Sequence, residues 1–97
     1  MSSLLSNAIL LSLFLFCVAM ILTLIRLFKG NNKAAVADYN KALQYDPADV
    51  FSWNNRAQAR MRVGDKKGAI ADLRKALELR PGLESALAAL KQLGAAP

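Results

Sequence analysis

No histidine occurs in the 97 residues, and the one cysteine, Cys17, sits in the middle of an apolar run. Metal ligation by His and Cys, and nucleophilic catalysis by a Cys/His pair, are therefore excluded on residue inventory, as is a disulfide framework within the chain. Glycine is scarce, with five residues, and no glycine-rich phosphate loop can be assembled from them. Carboxylates number seven against thirteen Lys and Arg. Asp38 and Asp72 are expected on solvent faces, three residues before Lys41 and Lys75, the spacing of an ordinary surface ion pair. Nothing in this inventory points to catalysis, to a cofactor or to a small-molecule substrate.

Charge is also missing from one long stretch. From Leu4 to Ile25 no residue is charged, and Ser6, Asn7, Ser12, Cys17 and Thr23 are the polar exceptions. As a helix this run reaches roughly 33 Å, enough to cross the hydrocarbon core of a bilayer. A cleaved signal peptide is the rival reading. It fits poorly, because Met1-Ser2-Ser3 carries no Lys or Arg and cutting after Ala19 leaves Met20-Ile21-Leu22 as an apolar new terminus. Retention as an anchor is expected. Arg26, Lys29 and Lys33 follow the run and are expected at headgroup height, facing an anionic membrane surface. The same bias places the N-terminus outside or in a lumen and the rest in the cytoplasm, stroma or matrix. The formal charge of +6 does not imply nucleic acid, because acidic residues are mixed among the basic ones beyond the span. Ala8 and Ser12 form a weak small-xxx-small pair for packing on another membrane helix.

What is present beyond the run is a repeat. Ala35-Val36-Ala37-Asp38-Tyr39-Asn40-Lys41-Ala42-Leu43-Gln44-Tyr45-Asp46-Pro47 recurs 34 residues later as Ala69-Ile70-Ala71-Asp72-Leu73-Arg74-Lys75-Ala76-Leu77-Glu78-Leu79-Arg80-Pro81, with seven of thirteen positions identical, and Gly30 recurs as Gly64. Val36, Tyr39 and Leu43, and then Ile70, Leu73 and Leu77, mark a buried stripe at helical spacing. Asp65 suits an N-cap after Gly64, and Asn31 or Asn32 suits one after Gly30. Between the copies a further helix is predicted over Val50 to Val63, capped by Asp49, with Trp53, Ala57 and Met61 or Arg60 recurring every turn. Pro47 and Pro81 stop the helices before them.

The unit Ala48 to Pro81 resembles a tetratricopeptide repeat, on the residues Trp53, Ala57, Ala69, Leu73, Ala76 and Pro81. Arg56 and Arg60 depart from it, standing where Leu and Tyr are usual. They are expected either to extend outward or to pair with acidic neighbours. The apolar run and the resemblance together imply an all-α fold: one N-terminal transmembrane helix, from the run, then a short array of helical hairpins with a C-terminal capping helix, from the resemblance. The expected organisation is a span with its charged exit over residues 1–29, then a repeat module over 30–97. That module divides into a partial repeat (30–47), a full repeat (48–81), a capping helix (82–93) with Leu83, Leu87 and Leu90 on one stripe, and a frayed tail (94–97). Counting back 34 from the predicted helix before the turn gives Phe16 to Gly30. The end of the membrane helix therefore takes the place of the missing first repeat helix.

The resemblance also implies a non-catalytic protein-interaction module. Its expected contact face is Phe51, Asn54, Gln58, Met61 and Arg62 with Asn55 alongside, the face that lines the concave groove in such repeats. Some family members clamp a chaperone's C-terminal carboxylate with Lys, Asn and Arg drawn from three repeats, whereas this chain has one complete repeat. Two functions follow as expectations: an accessory subunit or assembly factor whose partners are protein subunits of a membrane complex, or a tethered adaptor that transiently binds a chaperone or client peptide.

Overall fold

The computed structural model describes residues 2–97 and is all-helical over the described residues. Helix α1 spans Ser2–Tyr45, α2 Val50–Arg62, α3 Lys66–Leu79 and α4 Glu84–Gln92. Its longest dimension, 69 Å, is set by α1, since 44 residues at the helical rise give about 66 Å. Between Ser3 and Tyr45, α1 carries a segment long and apolar enough to cross a membrane, and none of that segment is buried against the rest of the protein. Phe14, Phe16, Leu24 and Phe28 all face outward. A core helix of comparable length would be largely covered. The hydroxyl of Thr23 donates to the Ala19 carbonyl at 2.9 Å, so even that polar group is satisfied inside the helix.

The turn expected at Gly30 does not form. The helix continues through it, and Asn32, expected as a possible cap, instead donates its side-chain amide to the Phe28 carbonyl at 2.8 Å and is buried to 7% exposure. The energetic reason is simple. One interior glycine costs a helix about 1 kcal/mol, whereas breaking it strands four N–H and four C=O groups at the new ends. At Gly64 the same residue does end a helix, with φ at 88°, because Asp65 follows and accepts from the Gly68 N–H at 2.9 Å as the cap of α3. Asparagine at 31 supplies no such start signal within an already continuous helix.

The C-terminal third of α1 packs on α2 through Leu43, which is buried, with Val36 and Tyr39 half-buried. That is the stripe the spacing predicts. Helix α2 runs antiparallel to α1, α3 packs on α2, and α4 packs on α3. The core lies between α2, α3 and α4. Ala57, Ala69, Ala76 and Ala86 are fully buried, which lets the helix axes approach, and Leu73 and Leu90 fill the space they leave. Trp53 packs on the edge of this core, and its indole N–H donates to the Pro47 carbonyl at 2.7 Å, tying α2 to the preceding turn.

One expectation about the last segment is corrected. The buried stripe of α4 is Ala86, Ala89 and Leu90, while Leu87 is 38% exposed; short alanines seat α4 more closely on α3 than a leucine ridge could. The tail turns at Gly94 (φ 70°), where the Ala95 N–H donates to the Leu90 carbonyl at 2.9 Å and Ala95 packs on the core. Arg74 Nε then donates to the Ala96 carbonyl at 3.2 Å.

Candidate functional site

The candidate contact face lies on α2, whose start is fixed by Asp49. Its carboxylate accepts the backbone N–H groups of Phe51 and Ser52 at 3.2 and 3.4 Å, and the Ser52 hydroxyl at 2.7 Å. The Ser52 hydroxyl first, then the Ser52 and Phe51 amides, hold the Asp49 carboxyl below its ordinary value of 3.8, against an opposing desolvation. This cap sets the rotation of α2 and thereby which side chains it presents.

Of the six face residues, Phe51, Asn55 and Arg62 are exposed, and Asn54, Gln58 and Met61 are half-buried. Met61 packs on the core and is shared between structure and surface. The Phe51 ring is 61% exposed with the Arg80 guanidinium 5.6 Å from its centroid. Asn54 Nδ2 donates to Ser85 Oγ of α4 at 3.2 Å, while its Oδ1 is buried with no hydrogen-bond partner. Helix α4 therefore borders the face at Asn54 and leaves Phe51, Asn55 and Arg62 open. Two concavities, one lined by Ala71, Arg74, Lys75, Leu77, Glu78 and Pro97 and one by Lys41, Gln44 and Tyr45, lie elsewhere.

Behind this face stands a charged cluster that overturns one sequence expectation. Asp72, expected on the solvent side beside Lys75, is buried to 2% side-chain exposure. It accepts Arg56 Nη2 at 2.7 Å and Nε at 2.9 Å, and Arg60 Nη1 at 2.9 Å. Lys75 pairs with Glu78 instead, at 3.1 Å. Arg56 also donates to Asn40 Oδ1 at 2.8 Å and lies 4.8 Å over the Trp53 ring, so one guanidinium joins α1, α2 and α3. Of the two options for the arginines, pairing with an acid is the one taken. Spacing carried the signal: Asp72 belongs to the same stripe as Ala69, Leu73 and Ala76, and an acid inside an apolar stripe opposite two misplaced arginines is a matched pair of anomalies. Asp38, its counterpart in the first copy, stays exposed. The positions 34 residues before Arg56 and Arg60 are Leu22 and Arg26, on the same unbroken helix as Asp38, and cannot fold back onto it.

Antiparallel helices of about fourteen residues, stacked through small residues and joined by turns at a 34-residue period, define a helical-repeat module of the protein-interaction class. A family model described as TPR repeat matches residues 25–64, and another described as Tetratricopeptide repeat matches residues 50–83; the chain belongs to the tetratricopeptide repeat family. No curated protein matches it. The first match begins at Ile25, at the end of the apolar run, and so includes the part of α1 that leads into the first repeat helix. Repeats of this family are protein–protein interaction modules.

Proposed function

We propose that this protein is a non-catalytic, single-pass accessory subunit or assembly factor of a larger membrane complex, with α1 packing among other membrane helices and the α2 face holding a soluble subunit. The observation that carries the reading is the continuity of α1: an uncovered apolar segment runs without a linker into the helix on which the repeat module is built. A free adaptor gains reach from a flexible tether, whereas a rigid stalk suits a neighbour at fixed height. Arg26, Lys29 and Lys33 follow the apolar run and face lipid headgroups, and by the positive-inside rule the repeat module lies in the cytoplasm, stroma or matrix with the N-terminus outside or lumenal. Residues 1–29 then act as anchor and 30–97 as the interaction module.

The test is gentle solubilisation of native membranes followed by native electrophoresis. A complex well above the mass of the chain, which loses the protein when Phe51 and Asn55 are replaced by alanine, supports the proposal. Migration only as a free small species sinks it.

One observation favours a second reading, transient capture of a chaperone or client peptide. Asn54 Oδ1 is a buried acceptor without a donor, on a face beside Gln58 and the basic Arg62. An extended peptide N–H is a suitable donor for it. Peptide binding that Asn54→Ala leaves unchanged would exclude this role.

A further inference from the structure

We propose that the α2–α3 turn is a second foot of the anchor, in which Arg62, Lys66 and Lys67 bind the anionic headgroups of the lipid surface that α1 enters. The inference rests on the membrane reading of α1 given above and adds to it a lipid-binding site away from the span. Arg56 Nη1 donates to Asn40 Oδ1 at 2.8 Å, which fixes the register of α2 on α1. Counting down both helices from that pair, Arg62 stands level with Ala34 and the turn at Asp65 level with Asn31. Those levels lie about 9 to 14 Å along α1 beyond Ile25. Leu27 and Phe28, both exposed, extend the apolar surface part of the way there. The headgroup layer is roughly 5 to 8 Å thick, and long basic side chains reach several ångströms further to phosphate.

Charge is sorted along the module in the sense this placement requires. None of the salt bridges among the described residues uses Arg62, Lys66 or Lys67, nor Arg26, Lys29 or Lys33, which lie about 2 to 12 Å beyond Ile25 on α1. One acid, Asp65, stands at this level, and it is engaged in capping α3 and facing Arg60 at 3.8 Å. Asp46, Asp49, Glu78 and Glu84 gather at the opposite end, by the α1–α2 and α3–α4 turns. The first turn of α3 holds Lys66 and Lys67 and no acid. Cations oppose the helix dipole there, a local conflict that a plane of phosphates facing the helix N-terminus removes. Arg26, Lys29 and Lys33 share one flank of α1, while α2 packs along Asn32, Val36, Tyr39 and Leu43. Two basic points on different sides of one stalk hold the module upright.

The experiment uses the full chain with Cys17→Ser and Val63→Cys, spin-labelled at 63, in nanodiscs of phosphatidylcholine alone or with phosphatidylglycerol, each doped with a nickel-chelating lipid that relaxes nearby labels. Each basic residue close to an anionic surface strengthens attachment about fivefold, so three shift the docked population about a hundredfold. Expected are faster relaxation in anionic discs, its reversal by 0.5 M salt (roughly a 4 Å screening length), and its loss in Arg62→Gln/Lys66→Gln/Lys67→Gln but not in Lys41→Gln/Lys91→Gln. As a label-free readout, anionic lipid raises the melting midpoint followed by Trp53 emission in the wild type and not in the triple variant. Equal relaxation in both lipids, or a triple variant that behaves as wild type, overturns the second foot alone. A chain that does not embed in discs at all overturns the membrane reading with it.

Discussion

Replacing Asp72 by alanine removes the acceptor of three charge-assisted hydrogen bonds and strands two guanidinium groups in the α2–α3 interface. The Asp72 side chain is 2% exposed, and those of Arg56 and Arg60 are 13% and 22% exposed. Loss of one partner from a buried ion pair costs about 3–5 kcal/mol. Because both arginines retain some access to water, the lower end applies, about 3 kcal/mol. For a module of this size that lowers the melting midpoint by roughly 12–24 °C. The assay is thermal melting of the full chain in nanodiscs, followed by the emission of Trp53, the one tryptophan, which lies 4.8 Å from the Arg56 guanidinium and so reports on the module. The companion variant Arg56→Leu/Arg60→Tyr/Asp72→Leu restores apolar residues at the two positions where the family carries Leu and Tyr. It is expected within about 1 kcal/mol of wild type, since a buried charge cluster replaced whole by apolar groups is commonly neutral or stabilising. An Asp72→Ala melt indistinguishable from wild type refutes the argument, because the cluster would then be worth no more than an exposed pair.

Other perturbations separate the local claims. Gly30 lies inside a helix with open space around a Cβ, so Gly30→Ala raises stability by about 1 kcal/mol, while Gly64→Ala, at φ 88°, lowers it by about 1–2 kcal/mol; the same melts read both, and destabilisation by Gly30→Ala contradicts the continuous helix. Leu73 is fully buried between α2 and α3, and Leu73→Ala costs about 3 kcal/mol by chemical denaturation, with a loss under 1 kcal/mol counting against its place in the core. The Asp49 carboxyl is depressed below 3.8 in the folded state, so its contribution is fully present above that value and is lost as pH falls through the folded value. Asp49→Asn keeps a cap without a charge; its stability deficit at pH 7 is expected to begin shrinking near about pH 4 and to close as pH falls through the folded value, and a deficit constant with pH excludes the linkage.

The sequence carried most of the fold because period, caps and breakers agreed over α2 and α3. Asp49, Asp65 and Gly64 each act in the structure as their residue types predict. It misled where one residue type admits two environments. Gly30 reads as a turn only by analogy with Gly64, and the choice is made by whether a capping acid follows. Asp72 reads as a surface acid until its stripe neighbours Ala69, Leu73 and Ala76 are given priority over its charge. The exposure of Phe51, Asn55 and Arg62 on the candidate face follows from helical spacing, but the contacts that border it, Ser85 on Asn54 and Arg80 on Phe51, depend on how α4 and the preceding turn close on α2. Nothing in a one-dimensional spacing encodes those.

The central claim is that anchor and first repeat helix are one rigid rod. With Cys17→Ser as background, spin labels at Ala19 and Ala37 lie 18 residues apart on the same face of α1, five full turns, and both positions are exposed. A pulsed dipolar distance measurement in nanodiscs is expected to give a narrow distribution near about 27 Å. A much shorter or broad distribution would mean that the helix breaks at Gly30 and that the module swings on a hinge.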